Sequence, residues 1–211
     1  MRITIIDYGM GNLHSVKNAL NYIGVENIIS GDTKEIEVAE ALILPGVGAF
    51  PDAMETLMAK GLDKIIIKRA KEDHVPLLGI CLGMQLLLDN GFEFKEQQGL
   101  SLISGSCIKI TAPSLKIPHI GWNDLVFDKK DCPLLHGIKE GSYVYFVHSY
   151  RAELEKREDL IAHTQYGEEI PALIGSGNIF GAQFHPEKSE SVGLSILKNF
   201  AEYCNSRNSR S

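Results

Sequence analysis

One segment restricts the fold more than any other, because a strand pattern in it runs directly into a helix pattern. Residues 76–80 form an apolar run typical of a buried strand, and residues 82–88 continue with helical spacing. Cys81 occupies the junction, with Gly79 and Gly83 two residues away on either side. This frame is typical of a nucleophile elbow, where glycines leave room for a strained residue. We expect Cys81 to project above the carboxyl edge of a sheet, where open α/β sheets bind ligands.

The rest of the chain predicts the sheet that such an elbow requires. In the first half, short apolar strands alternate with helices, which is typical of a parallel sheet. Strands are expected at 3–6, 25–30, 41–44 and 76–80, and helices at 13–23, 52–60, 62–72 and 82–88. In the second half, strands are expected at 106–111, 124–127, 143–151, 160–165, 172–175 and 179–183, before a helix at 192–203. The sequence therefore predicts an α/β fold with a central, mostly parallel sheet flanked by helices and an antiparallel extension.

Length and composition indicate one globular domain. The chain has 211 residues, 44% apolar and 23% charged, with a net charge of −6. We expect a domain over residues 1–204 and a polar tail over 205–211. The acidic balance argues against a nucleic-acid partner, and no apolar run is long enough for a membrane span. The first residues are typical of a strand and not of a signal peptide, and no CxxC occurs. We therefore expect a cytoplasmic protein with reduced thiols and no metal or cofactor.

The elbow gives Cys81 a chemistry that the other cysteines lack. A helix N-terminus favours thiolate over thiol, and its free N–H groups can stabilise an oxyanion. The alternative is an inert, buried thiol, which is the common state of a free cysteine. Cys107, Cys132 and Cys204 have no such frame, so we interpret them as structural.

A cysteine nucleophile needs a base, and His185 is the best candidate among seven histidines. It follows a predicted strand, Pro186 restricts the backbone after it, and Glu187 can orient the imidazole. The alternative is a histidine that is solvated or satisfied by its surroundings. His148 is the second most interesting histidine. Residues 8–13 resemble a phosphate-binding turn, but position 14 is histidine where that fingerprint needs glycine, so nucleotide binding is not expected.

Six segments together carry a family resemblance that covers residues 1–204 in order. They are Asp7-Tyr-Gly-Met-Gly-Asn-Leu13, Leu44-Pro-Gly-Val-Gly-Ala-Phe50, Gly79-Ile-Cys-Leu-Gly-Met-Gln85, Pro118-His-Ile-Gly-Trp-Asn123, Tyr145-Phe-Val-His-Ser-Tyr150 and Gln183-Phe-His-Pro-Glu-Lys-Ser189. The chain resembles class I, triad-type glutamine amidotransferases. Within that class it is similar to the glutaminase subunits of imidazole glycerol phosphate synthase.

The resemblance implies a role for each matching residue. Cys81 would attack the glutamine amide, His185 would act as acid and base, and Glu187 would orient His185. The remaining implied roles are an oxyanion hole from Val47 or Gly48 with Leu82, a glutamine pocket from Gln85, Ser149, Tyr150 and Glu93, and a partner contact from Asn12 and Lys188.

The resemblance also implies a partner, namely a (β/α)8-barrel cyclase subunit that forms a heterodimer with this chain. Ammonia would pass to that subunit, which makes imidazole glycerol phosphate and aminoimidazole carboxamide ribonucleotide in histidine biosynthesis. Two alternatives remain open at this point. One is a paralogous glutaminase that supplies ammonia for surface-polysaccharide synthesis, and the other is a cysteine hydrolase of a different amide. A non-catalytic subunit is disfavoured because the Cys, His and Glu residues are all present.

Overall fold

The computed structural model describes residues 1–208. The helices in that range are α1 (Leu13–Tyr22), α2 (Thr33–Glu37), α3 (Phe50–Ala59), α4 (Leu62–Ile67), α5 (Leu82–Leu86) and α6 (Glu190–Asn208). The strands are β1 (Ile3–Ile6), β2 (Asn27–Ser30), β3 (Ala41–Gly46), β4 (Leu77–Cys81), β5 (Asn90–Gly91), β6 (Gln97–Gln98), β7 (Gly105–Lys109), β8 (His119–Asp124), β9 (Val126–Phe127), β10 (Tyr143–His148), β11 (Tyr150–Leu154), β12 (Leu160–Gln165), β13 (Glu169–Ser176) and β14 (Ile179–Ala182).

The central sheet has eight strands in the order β2-β1-β3-β4-β14-β13-β12-β9. The strands from β2 to β14 in this order run parallel, and the remaining three pairs are antiparallel. The predicted α/β fold, with a mostly parallel sheet and an antiparallel extension, is therefore confirmed. Strands β4 and β14 are neighbours, so the segments that follow them meet at one edge of the sheet. This adjacency brings Cys81 and His185 together across about a hundred residues of chain.

Apolar side chains cover both faces of the central sheet. Successive residues of a strand point to opposite faces. Ile5 accordingly packs in one core cluster and Ile6 in the other. The first cluster includes α1 and α6 through Leu20 and Phe200, and the second includes α3 through Leu57. The layers on both sides hold the parallel strands in a fixed register.

The second half of the chain differs from the expected single extension. The predicted strand at 143–151 is two strands, β10 and β11, which separate at Ser149 and enter different sheets. Strand β10 pairs with β8, which was not predicted, and β11 joins β7, β5 and β6. The break lies between the ends of two antiparallel ladders. His119 opposite His148 ends the β8–β10 ladder, and Lys109 opposite Tyr150 starts the β11–β7 ladder.

Helix α2 was not predicted, and the other helices differ from the predictions mainly at their ends. Helix α5 ends at Leu86, and Leu87 and Leu88 continue as a tighter turn whose N–H groups bond Met84 and Gln85. Helix α6 extends to Asn208, so it includes the first residues of the predicted tail, while residues 209–211 lie outside the described part. Among the described helices, none combines the length and the apolar character that crossing a membrane requires.

Candidate active site

Cys81 adopts a backbone conformation that side chains usually avoid. Its φ is 54° and its ψ is −110°, at the point where β4 gives way to α5. Backbone strain of this kind concentrates at functional sites. The flanking glycines allow the turn. A Cβ on Gly83 would stand 1.8 Å from the Leu44 carbonyl oxygen, and one on Gly79 would stand 2.6 Å from the Gly83 oxygen. The expected elbow geometry is therefore present, and no other residue type fits at these two positions without a shift of backbone.

His185 and Glu187 form a buried pair beside Cys81. The His185 Nδ1 atom lies 2.8 Å from Glu187 Oε1, with side-chain exposures of 4% and 1%. Burial lowers the pKa of His185, but the Cys81 sulfur and the Glu187 carboxylate outweigh it and raise that pKa to about 10. The imidazole is consequently held protonated near neutral pH when it faces a thiolate.

The Cys81 sulfur has two further polar neighbours. Sγ lies 3.9 Å from the Val147 carbonyl oxygen and 3.9 Å from Gln183 Nε2. Gln183 was not predicted as a site residue, although it stands in the segment that carries His185. Its amide nitrogen donates toward the sulfur, while the sulfur faces the Val147 carbonyl as a donor. Only the pairing of β4 with β14 reveals this contact.

A pocket with a volume of about 350 Å³ opens above Cys81. A glutamine side chain and its α-amino acid group fit such a volume. Nine of the predicted site residues line it, and they are joined there by Pro118, Val147 and His148. The nine are Val47, Gly48, Cys81, Leu82, Gln85, Glu93, Ser149, Tyr150 and His185. Glu187 lies behind His185, away from the pocket.

Gln85 and Glu93 each use one side-chain atom for hydrogen bonds within the protein. The Gln85 amide nitrogen donates to the Tyr150 carbonyl and to Gln183 Oε1, both at 3.0 Å. Its own carbonyl oxygen is therefore the atom left for a ligand. Glu93 Oε2 accepts the Phe50 N–H at 2.9 Å, at the start of α3, which leaves Oε1 free for an ammonium group. Both arrangements fit the predicted pocket roles.

The three residues predicted to supply the oxyanion hole line the same pocket as Cys81. Leu82 is the first residue of α5, where an N–H has no acceptor within the helix. Strand β3 continues through Pro45 and Gly46, so the predicted loop begins at Val47. Gly48 has a φ of +97°, which favours glycine. Within residues 1–208, the Val47 and Gly48 N–H groups take no part in the hydrogen bonds between loop backbones.

A pair of buried histidines supports one wall of the pocket. His148 Nδ1 lies 2.8 Å from the Tyr150 carbonyl, which can only accept, so this nitrogen carries the proton. His148 Nε2 then accepts from His119 Nδ1 at 3.0 Å. Burial lowers the pKa of both histidines to about 4, and nearby charge on His119 and His185 adds to the effect at His148. The pair is neutral and fixes the Val147–Tyr150 backbone.

The comparisons with known proteins bear on this arrangement. Residues 4–203 match the family described as glutamine amidotransferase class-I. The chain belongs to the class-I glutamine amidotransferase family. The resemblance inferred from the sequence motifs is thereby confirmed.

Relatives of this amidotransferase place it within one branch of the family. It is 53% identical over 203 residues to the imidazole glycerol phosphate synthase subunit HisH of Caldanaerobacter subterraneus subsp. tengcongensis, covering 95% of this chain and 97% of the relative. The HisH subunit of Bacillus cereus is 50% identical, with 94% and 93% covered. At these identities the chain belongs with the HisH subunits.

Solved structures share the fold at much lower sequence identity. A glutamine amidotransferase crystal structure superposes with a TM-score of 0.76 at 20% identity, covering 96% of this chain and 98% of that one. PurLQS from Thermotoga maritima gives a TM-score of 0.74 at 21% identity, with the same coverage. These likenesses concern the fold alone.

The two predicted partner contacts of this amidotransferase lie outside the pocket. Asn12 precedes α1 and accepts a hydrogen bond from the Ser15 hydroxyl at 2.8 Å. Lys188 is exposed in the turn that follows His185, and its N–H bonds the His185 carbonyl at 3.0 Å. Helix α1 packs against that turn, so both residues belong to neighbouring elements. Within the described residues, no cluster of histidine, cysteine and acidic side chains has the arrangement of a metal site.

Proposed function

We propose that this chain hydrolyses glutamine to glutamate and ammonia at Cys81 and delivers the ammonia to a (β/α)8-barrel cyclase subunit. The observation that supports this most directly is the buried His185–Glu187 pair facing Cys81 at the base of a glutamine-sized pocket. The relatives at about half identity are named as subunits of imidazole glycerol phosphate synthase. We therefore assign the reaction to that synthase and to histidine biosynthesis, in preference to surface-polysaccharide synthesis or hydrolysis of another amide.

In the proposed mechanism, the Cys81 thiolate attacks the side-chain carbonyl carbon of glutamine. The negative charge that develops on the carbonyl oxygen is stabilised by the Leu82 N–H and by an N–H of Val47 or Gly48. His185 protonates the leaving nitrogen, so ammonia departs and a thioester remains on Cys81. A water molecule, deprotonated by His185, then hydrolyses the thioester to glutamate. Glu187 holds the imidazole in position through both half-reactions.

Substrate positioning is assigned to the opposite wall of the pocket. We place the amino-acid end of glutamine against Gln85, Ser149 and Tyr150, with the substrate ammonium toward Glu93. Within residues 1–208, no hydrogen bond to a protein donor is made by the Gln85 oxygen or by Glu93 Oε1, which suits a substrate that carries N–H groups.

The barrel subunit is assigned to a surface that is continuous with the pocket. Ile120, Trp122 and Tyr143 are large, apolar and about half exposed on one face of the β8–β10 pair. Val147 lies on the same face and lines the pocket. An apolar face of this kind on a chain related to synthase subunits suits a permanent partner. Asn12 and Lys188 are assigned to the polar rim of the same contact.

The location of the reaction is proposed to be the cytoplasm, as predicted from the sequence. All four cysteines are free thiols, which supports a reducing environment.

The test uses the complex with the barrel subunit and compares two sources of nitrogen. Cys81→Ala should abolish glutamine-dependent synthesis and leave ammonia-dependent synthesis intact. Cys132→Ala is the matched control, because Cys132 is also a buried free thiol but lies outside the pocket. Glutamine-dependent turnover that survived Cys81→Ala would overturn the proposal.

A further inference from the structure

Tyr8 carries a buried hydroxyl for which the fold gives no structural reason. The residue follows β1 and is 0% exposed. Within residues 1–208, its Oη atom has no hydrogen-bond partner. Buried phenol groups are usually hydrogen-bonded, since an unmade bond in the interior destabilises the protein. A phenylalanine would fill the same space without this defect, so the hydroxyl needs another explanation.

The hydroxyl lies beside the strand that leads into the predicted oxyanion hole. A Cβ on Gly46 would stand 2.7 Å from Tyr8 Oη, so the phenol occupies the space next to the Gly46 Cα. Gly46 is opposite Cys81 in the pairing of β3 with β4. Burial and the nearby Cys81 charge raise the pKa of Tyr8 well above its usual range. The phenol is therefore a proton donor, never a phenolate, at any pH where the protein works.

The segment after Gly46 lies outside strand β3. Val47 is 43% exposed, and neither its N–H nor that of Gly48 joins the loop hydrogen bonds of the described chain. The Val47 N–H and the Gly46 carbonyl belong to one planar peptide and point in opposite directions. A rotation that aims this N–H at the substrate oxyanion therefore swings the Gly46 carbonyl away from the pocket. That carbonyl then needs a donor.

We propose that Tyr8 is a positioning residue whose hydroxyl donates a hydrogen bond to the Gly46 carbonyl when the Val47 N–H faces the oxyanion. This inference rests on the proposed glutaminase function. The hydroxyl is unpaired when the peptide points the other way and paired when the oxyanion hole is formed. A bond present in only one of two states shifts their populations toward that state. Tyr8 thus favours the active form without touching the substrate.

The experiment measures glutamine hydrolysis by the complex with the barrel subunit and its nucleotide acceptor. Tyr8→Phe should lower kcat about fivefold to tenfold, the population ratio that one ordinary hydrogen bond supports, with KM changed less than about twofold. The melting temperature of the variant chain should equal or exceed that of the wild type, because the unpaired hydroxyl is gone. Tyr203→Phe is the control, since its hydroxyl bonds Gly177 and Arg207 far from the pocket. It should leave kcat unchanged.

Alkylation of Cys81 by iodoacetamide separates this role from an effect on the nucleophile. Tyr8→Phe and the wild type should be alkylated at the same rate. Slower alkylation, or a lower melting temperature with a raised KM, would overturn the proposal, as would an unchanged kcat. A wild-type complex that hydrolyses no glutamine refutes the glutaminase assignment and this inference together. Unchanged kcat in Tyr8→Phe beside an active wild type refutes the inference alone.

Discussion

His185 Nδ1 lies 2.8 Å from Glu187 Oε1, and a single proline separates the two residues in the chain. The turn that makes this possible is held by two bonds to the His185 carbonyl, from the Lys188 N–H at 3.0 Å and from the Ser189 hydroxyl at 2.7 Å. The orientation of the imidazole is thus encoded locally, in five consecutive residues, while its distance from Cys81 depends on the sheet.

Replacing Glu187 by glutamine should separate orientation from charge. Glutamine keeps an acceptor for His185 Nδ1 but removes the carboxylate, and its amide nitrogen enters a place where the carboxylate oxygen has no partner within the described residues. We expect glutamine hydrolysis to fall at least about 10²-fold, the scale of general acid–base catalysis. Steady-state kinetics in the assembled complex measure this. Glu190→Gln, on the exposed start of α6, is the control and should change little.

The same variant should alter how stability depends on pH. The pKa of folded His185 is raised to about 10, against about 6.5 in an unfolded chain. A raised histidine pKa stabilises the folded state fully below about pH 6.5, and that contribution is lost as pH rises toward 10. The difference in melting temperature between wild type and Glu187→Gln should therefore shrink from pH 6.5 to 10. A difference in melting temperature that stayed constant with pH would contradict the pairing of a charged His185 with Glu187.

The strained backbone at Cys81 predicts an inverted order of stability. Glycine normally costs about 0.5–1 kcal/mol relative to alanine through backbone entropy. At Cys81, with a φ of 54°, relief of strain of about 1–3 kcal/mol acts in the opposite direction. Cys81→Gly should thus be at least as stable as Cys81→Ala in denaturant unfolding, although both are inactive. At Cys107, in the regular strand β7, glycine should be the less stable of the two. If Cys81→Gly were less stable than Cys81→Ala, the turn at Cys81 would be unstrained.

The residues that the sequence predicted best are those whose geometry is local. The elbow needs only Gly79, Cys81 and Gly83, and the orienting pair needs only two residues on either side of Pro186. Each pattern fits inside a few positions, so spacing alone indicates the chemistry. The alternating strands and helices of the first half are local patterns too, and they predicted the parallel core.

The features that were not predicted depend on pairing between distant segments. Strand β8 has only two large apolar residues, Ile120 and Trp122, and both stay exposed, so the strand forms through its pairing with β10. Ser149 gives no sign in the sequence that the chain changes sheets there. Gln183 acts on Cys81 only because β14 lies beside β4. Residue contacts of this kind follow from register, which one sequence does not specify.

The neutral histidine pair predicts a loss of stability in acid. Burial lowers the folded pKa of His119 to about 4, while an unfolded histidine titrates near 6.5. The unfolded state therefore binds more protons between these values, and stability declines as pH falls from about 6.5 to 4. His119→Phe keeps the stacking on Phe146 and Tyr166 but leaves His148 Nε2 without a donor. It should be about 1–3 kcal/mol less stable at pH 8.

The difference in unfolding free energy between wild type and His119→Phe should narrow at pH 4.5, because the variant has one fewer histidine to protonate on unfolding. Denaturant unfolding at the two pH values measures it. His74→Asn, which replaces an exposed histidine at a φ of 53° that asparagine tolerates, is the control for removing a histidine outside the pair. A constant difference between wild type and His119→Phe would mean that His119 is not neutral in the fold.

The exposed face of β8 predicts where the barrel subunit binds. Trp122 is 46% exposed and packs edge-on against Tyr145 at 5.9 Å between ring centroids, so its ring is already positioned in the free chain. Rigid aromatic side chains at the centre of an interface are common hot spots, and we expect Trp122→Ala to weaken the complex about tenfold or more. Titration calorimetry with the purified barrel subunit measures the Kd. Tyr22→Ala is the control, because Tyr22 is an aromatic residue that is 81% exposed on α1, outside the β8–β10 pair. Equal affinities for wild type and Trp122→Ala would place the partner on another surface.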